Sequence, residues 1–209
     1  MKQNYFLFFV LYFIYTTLGY SQIVNKGILK IMPATTVYFG NNYTNDLTHN
    51  NDGNLHLKGD FVNNGTTTAA SSSTTHFTGS AAIQEIKGSA NKVNFYDLVI
   101  NNTFKGVSVI NAFELNVENG VTLTNGDLRL LGEAQLIQTH AGTTANGSTN
   151  GKLLRYQQGL TSKFGYNYWS SPVNNGGTVA LNGGLCYGAD PSSPVVNPNA
   201  VGKNGSVTS

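Results

Sequence analysis

From Gly106 to Gln138 apolar residues recur at every second position in short bursts: Val107 and Val109; Phe113, Leu115 and Val117; Val121 and Leu123; Leu128 and Leu130. Ser108, Glu114, Asn116, Thr122 and Arg129 stand between them. Successive side chains of a strand point to opposite faces, so the pattern predicts short strands with one buried and one wet face. Asn119-Gly120 and Asn125-Gly126 punctuate it, and both residue types tolerate the positive φ of tight turns.

The same phrasing predicts strands upstream. Candidates are Ile28–Ile31, Thr36–Phe39, Leu55 to Phe61, His76–Gly79, Ala82–Gly88 and Val93–Asn102, with Gly or Asn at the boundaries. Asn41–Asp52 (NNYTNDLTHNND) reads as a polar loop, and Thr66–Thr75 as a loop that is part ladder. Related phrases return every ~20–25 residues, a period typical of solenoid coils. GNLHLKGDF at 53–61 and GVTLTNGDL at 120–128 share Gly-x-apolar-x-Leu, then Gly-Asp and a large apolar residue. The expected fold is all-β: a right-handed parallel β-helix or β-solenoid of about five coils over 27–138. An antiparallel β-sandwich joined by Asn-Gly hairpins is the alternative. The expected organisation is a signal peptide over 1–21, the solenoid over 22–138 and a linker over 139–151. A small β-rich module with a loose Gly/Asn/Pro-rich tail would follow over 152–209.

Composition adds an address. Lys2 precedes the apolar run Tyr5–Leu18, and Gly19-Tyr20-Ser21 offers small residues for a signal peptidase, which predicts cleavage between Ser21 and Gln22. The run is shorter than the about 20 residues of a spanning helix, so no transmembrane helix is expected in the mature chain. Only 11% of the 209 residues are charged, and the net charge is +2. There is no basic cluster of the kind that neutralises phosphates, which argues against nucleic acid as a partner. Cys186 is the single cysteine, so no internal disulfide can form.

The search for chemistry yields few constellations. His56 and His76 alternate with apolar neighbours and are expected to face outward, whereas His49 and His140 fall in polar segments. No paired His or Cys spacing suggests a zinc site. The Asn-rich loop around Asp46 and Asp52 lacks the ligand order of a calcium loop. No cofactor is therefore expected. In a carbohydrate-active β-helix, carboxylates ~5–9.5 Å apart would cleave a glycosidic bond. Asp60, Asp97 and Asp127, with Arg129, are the residues to examine for it, although outward charges on strands chiefly keep such a rod soluble. Tyr166, Tyr168 and Trp169 could stack on sugar rings or fill a core. Thr66–Thr68 and Thr74–Thr75 raise an ice-binding array, but no in-register Thr-x-Thr pattern supports it. No nucleophile elbow or phosphate loop occurs.

The phrases LHLKGDFVNNG (55–65), THFTGSAAIQEIKG (75–88), FYDLVINN (95–102), VTLTNGDLRL (121–130) and YNYWSSPVN (166–174) resemble those of large secreted surface proteins of the Bacteroidetes. The resemblance spans roughly residues 53–175. It implies a non-catalytic, adhesin-like stalk at the outer cell surface, with surface glycans or neighbouring surface proteins as partners. It also implies a C-terminal sorting domain read by the type IX secretion system. Residues up to Ser209 carry no such domain, so a truncated product or an in-frame continuation is expected. The signal peptide alone would deliver the chain to the periplasm.

Overall fold

The computed structural model describes residues 22–139 and 146–155, and beyond them only two short strands, Cys186–Tyr187 and Val195–Val196, paired antiparallel. The described chain winds into a parallel β-solenoid of about six turns. Each turn lays one strand on each of three columns. The first column stacks β1 (Ile23–Asn25), β4 (Tyr43–Asn45), β7 (Phe61–Asn63), β10 (Gln84–Lys87), the end of β12 (Asp97–Val109), the end of β14 (Val121–Leu130) and β17 (Leu153–Arg155). The third stacks β3 (Thr36–Phe39), β6 (Asn54–Leu57), β9 (Thr74–Phe77), the beginnings of β12 and β14, and β16 (Gly147–Asn150). The second consists of β2 (Ile28–Ile31), β5 (Thr48–Asn51) and β8 (Thr66–Ala69), then β11 (Lys92–Phe95), β13 (Glu114–Val117) and β15 (Gln135–Gln138). Between β8 and β11 side chains replace the ladder: Asn94 N–H donates to Thr67 Oγ1 at 2.8 Å and Asn94 Nδ2 to the Thr67 carbonyl at 2.7 Å. All described pairings within the three columns are parallel, which rules out the hairpin sandwich.

The core follows from the alternation. All nine apolar residues of the 106–138 pattern are at most 3% exposed. Successive coils place like residues in register, as with Leu55 beside Val37 and Leu115 beside Val93. Tyr43 and Phe61 stack with centroids 5.3 Å apart and planes 5° from parallel. Such pairs add to the stabilisation from burying large rings.

Three expectations change. Asn41–Asp52 is not a loop: it contributes β4 and β5, and Tyr43, Asn45, His49 and Asn51 are buried. A row of amides makes that possible. Asn25 Nδ2 donates to Asn45 Oδ1 at 2.8 Å and to the Thr48 carbonyl at 2.7 Å; Asn45 Nδ2 repeats this to Asn63 Oδ1 and the Thr66 carbonyl. Buried polar groups are tolerated when bonded in this way. Second, the ladder does not stop at Gln138. β16 and β17 both pair with β14, so the solenoid continues through Arg155. Third, about six turns replace about five, because β1 and β16 lie outside the window counted and the shortest coil, Tyr43 to Phe61, is 18 residues. Among the described residues no helix is long and apolar enough to cross a membrane.

Candidate functional site

The third and first columns meet at a corner where β12 and β14 run through without a break. Asn101 pairs with Asn125, and the next register pair is Gly106 with Asp127. Four residues of β12, Asn102–Lys105, therefore face the lone Gly126 of β14, and Thr103–Lys105 bulge outward. β-Bulges commonly re-aim side chains at functional positions.

Asn102 anchors the bulge from inside. Its side chain is fully buried. Oδ1 accepts the backbone N–H groups of Phe104, Lys105 and Gly106 at 2.9, 3.2 and 3.2 Å. Nδ2 donates to the Ala82 carbonyl at 2.9 Å and to Gln84 Oε1 at 3.1 Å. Gln84, also buried, donates onward to the Leu57 and Gly59 carbonyls. Two glycines make the close approach sterically feasible. Gly126 has φ +82°, and a Cβ there would lie 2.4 Å from the Asn102 carbonyl oxygen; Gly106 has φ +100° and abuts Asp127.

The bulge and the β14 corner flank an open cleft of about 380 Å³. Arg129 lies beneath it, 2% exposed, although its place on the outer face predicted a wet side chain. The bulge covers it. Nη1 donates to the Lys105 carbonyl and Nη2 to Asp127 Oδ2 at 3.0 Å. The other Asp127 oxygen accepts the Lys152 N–H at 3.0 Å. Phe104 is half exposed at the rim, and the Lys105 ammonium stands 6.0 Å from its ring centroid. Asn125, Thr103 and Asn150 complete the lining. Asp127, with a donor on each oxygen, is a positioning group here.

The other acids lie elsewhere. Asp60 accepts the Glu85 N–H at 2.9 Å and pairs with Lys87 at 2.8 Å. Lys87 also pairs with Glu85 at 2.6 Å. Burial lowers the Lys87 pKa, but hydrogen bonds to Asp60 and Glu85 and their charges outweigh it, and the net shift is upward. Asp97 closes a turn by accepting from Asn119 Nδ2 and the Gly120 N–H. Asp46 accepts from Asn64, and Asp52 pairs with Lys30. Of the four residues singled out for chemistry, only Asp127 and Arg129 come together in one site.

The histidines divide. His49, expected in a loop, is buried: Nδ1 shares a 2.9 Å hydrogen bond with the Tyr43 hydroxyl, and Nε2 has no partner among the described residues. Burial lowers its pKa to about 4. His56 and His76 lie on the outside of the third column as expected, stacked at 4.2 Å with planes 1° apart, and Tyr38 extends the row at 4.5 Å. Among the described residues no three His, Cys, Asp or Glu side chains converge as metal ligands. Gln22 is the first described residue, its Nε2 donating to Thr44 Oγ1 at 3.1 Å. Ser21, His140, Tyr166, Tyr168 and Trp169 lie outside the described residues, as do the side chains around Cys186.

Comparison with protein-family models, with curated proteins and with solved structures finds no match.

Proposed function

We propose that this chain is an adhesin-like structural protein, a rigid β-solenoid stalk without catalytic activity, exported and displayed on the cell surface. The observation that carries the reading is the continuity of bonding from coil to coil. Backbone ladders run along the first and third columns and along the second on either side of the β8–β11 step, which Asn94 and Thr67 bridge. Side chains repeat them: Asn25, Asn45 and Asn63 inside, Thr48 with Thr66 and Asn50 with Thr68 outside. Successive turns bonded in this way form a stiff, quasi-one-dimensional spacer. The leader over 1–21 and the resemblance to Bacteroidetes surface proteins support export, through a type IX route to the surface or to the periplasm if export stops at the inner membrane. Surface glycans or neighbouring surface proteins are the partners such a stalk would meet.

Antibody raised against the purified chain tests this by labelling intact producing cells. Label confined to permeabilised cells would overturn the surface assignment. A carbohydrate-active or carbohydrate-binding protein is the second reading, favoured by the cleft beside Phe104. Reducing-sugar release from acidic and neutral polysaccharides separates the two classes. Turnover that disappears in Asp60→Ala, Asp97→Ala or Asp127→Ala would replace the stalk reading with an enzyme.

A further inference from the structure

We propose that the cleft under the 102–105 bulge binds an acidic sugar residue, the Lys105 ammonium taking the anionic group and the Phe104 ring the apolar face of the pyranose. The inference deepens the carbohydrate-binding reading and is independent of where the chain is displayed.

Charge is the first ground. The one carboxylate lining the cleft, Asp127, is occupied by Arg129 and by the Lys152 N–H. Lys105 makes no ion pair among the described residues, and its backbone carbonyl already serves Arg129. The cleft therefore presents a cation with no counter-ion among the described residues. Lys30 and Lys87 have carboxylate partners within 3.1 Å. Lys26, Lys58, Lys92 and Lys152 form no ion pair among the described residues, and of these unpaired lysines Lys105 is the one that lines the cleft.

Shape and polarity narrow the ligand. Phe104 places an aromatic ring, 50% exposed, on a surface otherwise lined by polar and charged groups. An aromatic face pairs with the C–H face of a sugar, while Thr103, Asn125 and Asn150 are suited to its hydroxyls. The ammonium stands over one face of the ring, 6.0 Å from its centroid, so ring and cation lie within the span of one monosaccharide. A simple inorganic anion would have no use for the ring, and a neutral sugar would take only hydrogen bonds from the ammonium, without the charge pairing that an acidic one adds.

Rigidity is the third ground. Asn102 fixes three successive backbone N–H groups under the exposed tip. Gly106 and Gly126 hold backbone conformations that other residues adopt only at a cost. Pre-organising a site in this way raises affinity by removing the ordering cost on binding.

Affinity electrophoresis or calorimetry on the full chain tests the proposal with polygalacturonate, dextran sulfate and neutral dextran. Polygalacturonate is expected to bind and to be weakened by salt. Lys105→Gln and Phe104→Ala are each expected to weaken it about tenfold or more, the loss of one charge-assisted bond or one ring contact. Lys105→Arg should retain it. Both sites are exposed, and unchanged melting of each variant confirms an intact fold. Binding of dextran sulfate as well would broaden the anion to sulfate, and preference for polygalacturonate would assign a uronate. Equal binding of neutral dextran that needs Phe104 and not Lys105 would overturn the acidic ligand while leaving a carbohydrate site. Absence of binding to all three, or binding unchanged in both variants, would overturn the site.

Discussion

Two corners of the same solenoid treat asparagine in opposite ways. Between the first and second columns the chain turns through two residues three times in succession, after Asn25, Asn45 and Asn63. Each Asn bonds to its counterpart one coil along, and the corner does not change shape. Between the third and first columns the connection is three residues after β3 and β6, six after β9, and then a bulge inside a continuous strand. There Asn102 bonds back to its own chain and props out Thr103–Lys105. An amide that repeats along the axis locks the coil length, whereas one that folds onto local N–H groups releases it. The cleft lies at the second kind of corner.

The comparison is broken most severely by a change neither corner can absorb. Leu123→Asp would bury a charge among fully covered side chains. It is expected to cost more than about 4 kcal/mol and abolish the folded circular-dichroism spectrum. Retained native melting would show that the core face has been assigned wrongly. Asn45→Leu tests the constant corner alone. It removes one partner each from Asn25 Nδ2 and Asn63 Oδ1, whose side chains keep their other bonds, and should cost about 1–3 kcal/mol by denaturant midpoint.

Acid sharpens the difference between inner and outer histidines. The folded pKa of His49 is about 4 against 6.5 for the free group. Above pH 6.5 the ring is neutral in both states and carries no penalty. As pH falls from 6.5 to 4 the unfolded chain binds the proton first, so stability is lost, on the order of 3 kcal/mol in total. His56 and His76 are also lowered, by burial, and His76 further by the charge of His56, which adds the same sign on a more exposed face. In His49→Phe most of this slope should vanish; an unchanged slope would place the effect on the outer pair.

At the variable corner, Gly126→Ala should cost about 1–3 kcal/mol through its positive φ and its contact with the bulge. Least of all, Asn116→Lys on the half-exposed face of β13 should shift stability by less than about 0.5 kcal/mol. A larger loss would mean that its 3.1 Å bond to Asn94 matters to the break in the second column.

The strand faces were legible because apolar side chains alternate and nothing else satisfies that period: Leu115, Val117, Val121 and Leu123 are all inside. What misled was polarity in the core. Tyr43, Asn45, His49 and Asn51 read as a loop because a single sequence does not reveal that their partners stand one coil away. Arg129 read as wet for the same reason in reverse, since the cover comes from a segment 24 residues earlier. The cleft left one trace in the sequence: across Asn-Asn-Thr-Phe-Lys-Gly at 101–106 the apolar parity switches from Leu98 and Ile100 to Val107 and Val109. An interruption marks where chain is added, but not what it will enclose.

The amide row of Asn25, Asn45 and Asn63 has a consequence for how such a chain can change over time. Asn45 and Asn63 each bond to the coils on both sides, so replacing either disturbs both. Replacing two adjacent members together removes the mismatch between them, and the paired change should cost less than the sum of the two single ones. The heritable unit of this corner is then the row, and drift along it should proceed by matched sets of substitutions, with isolated ones selected against.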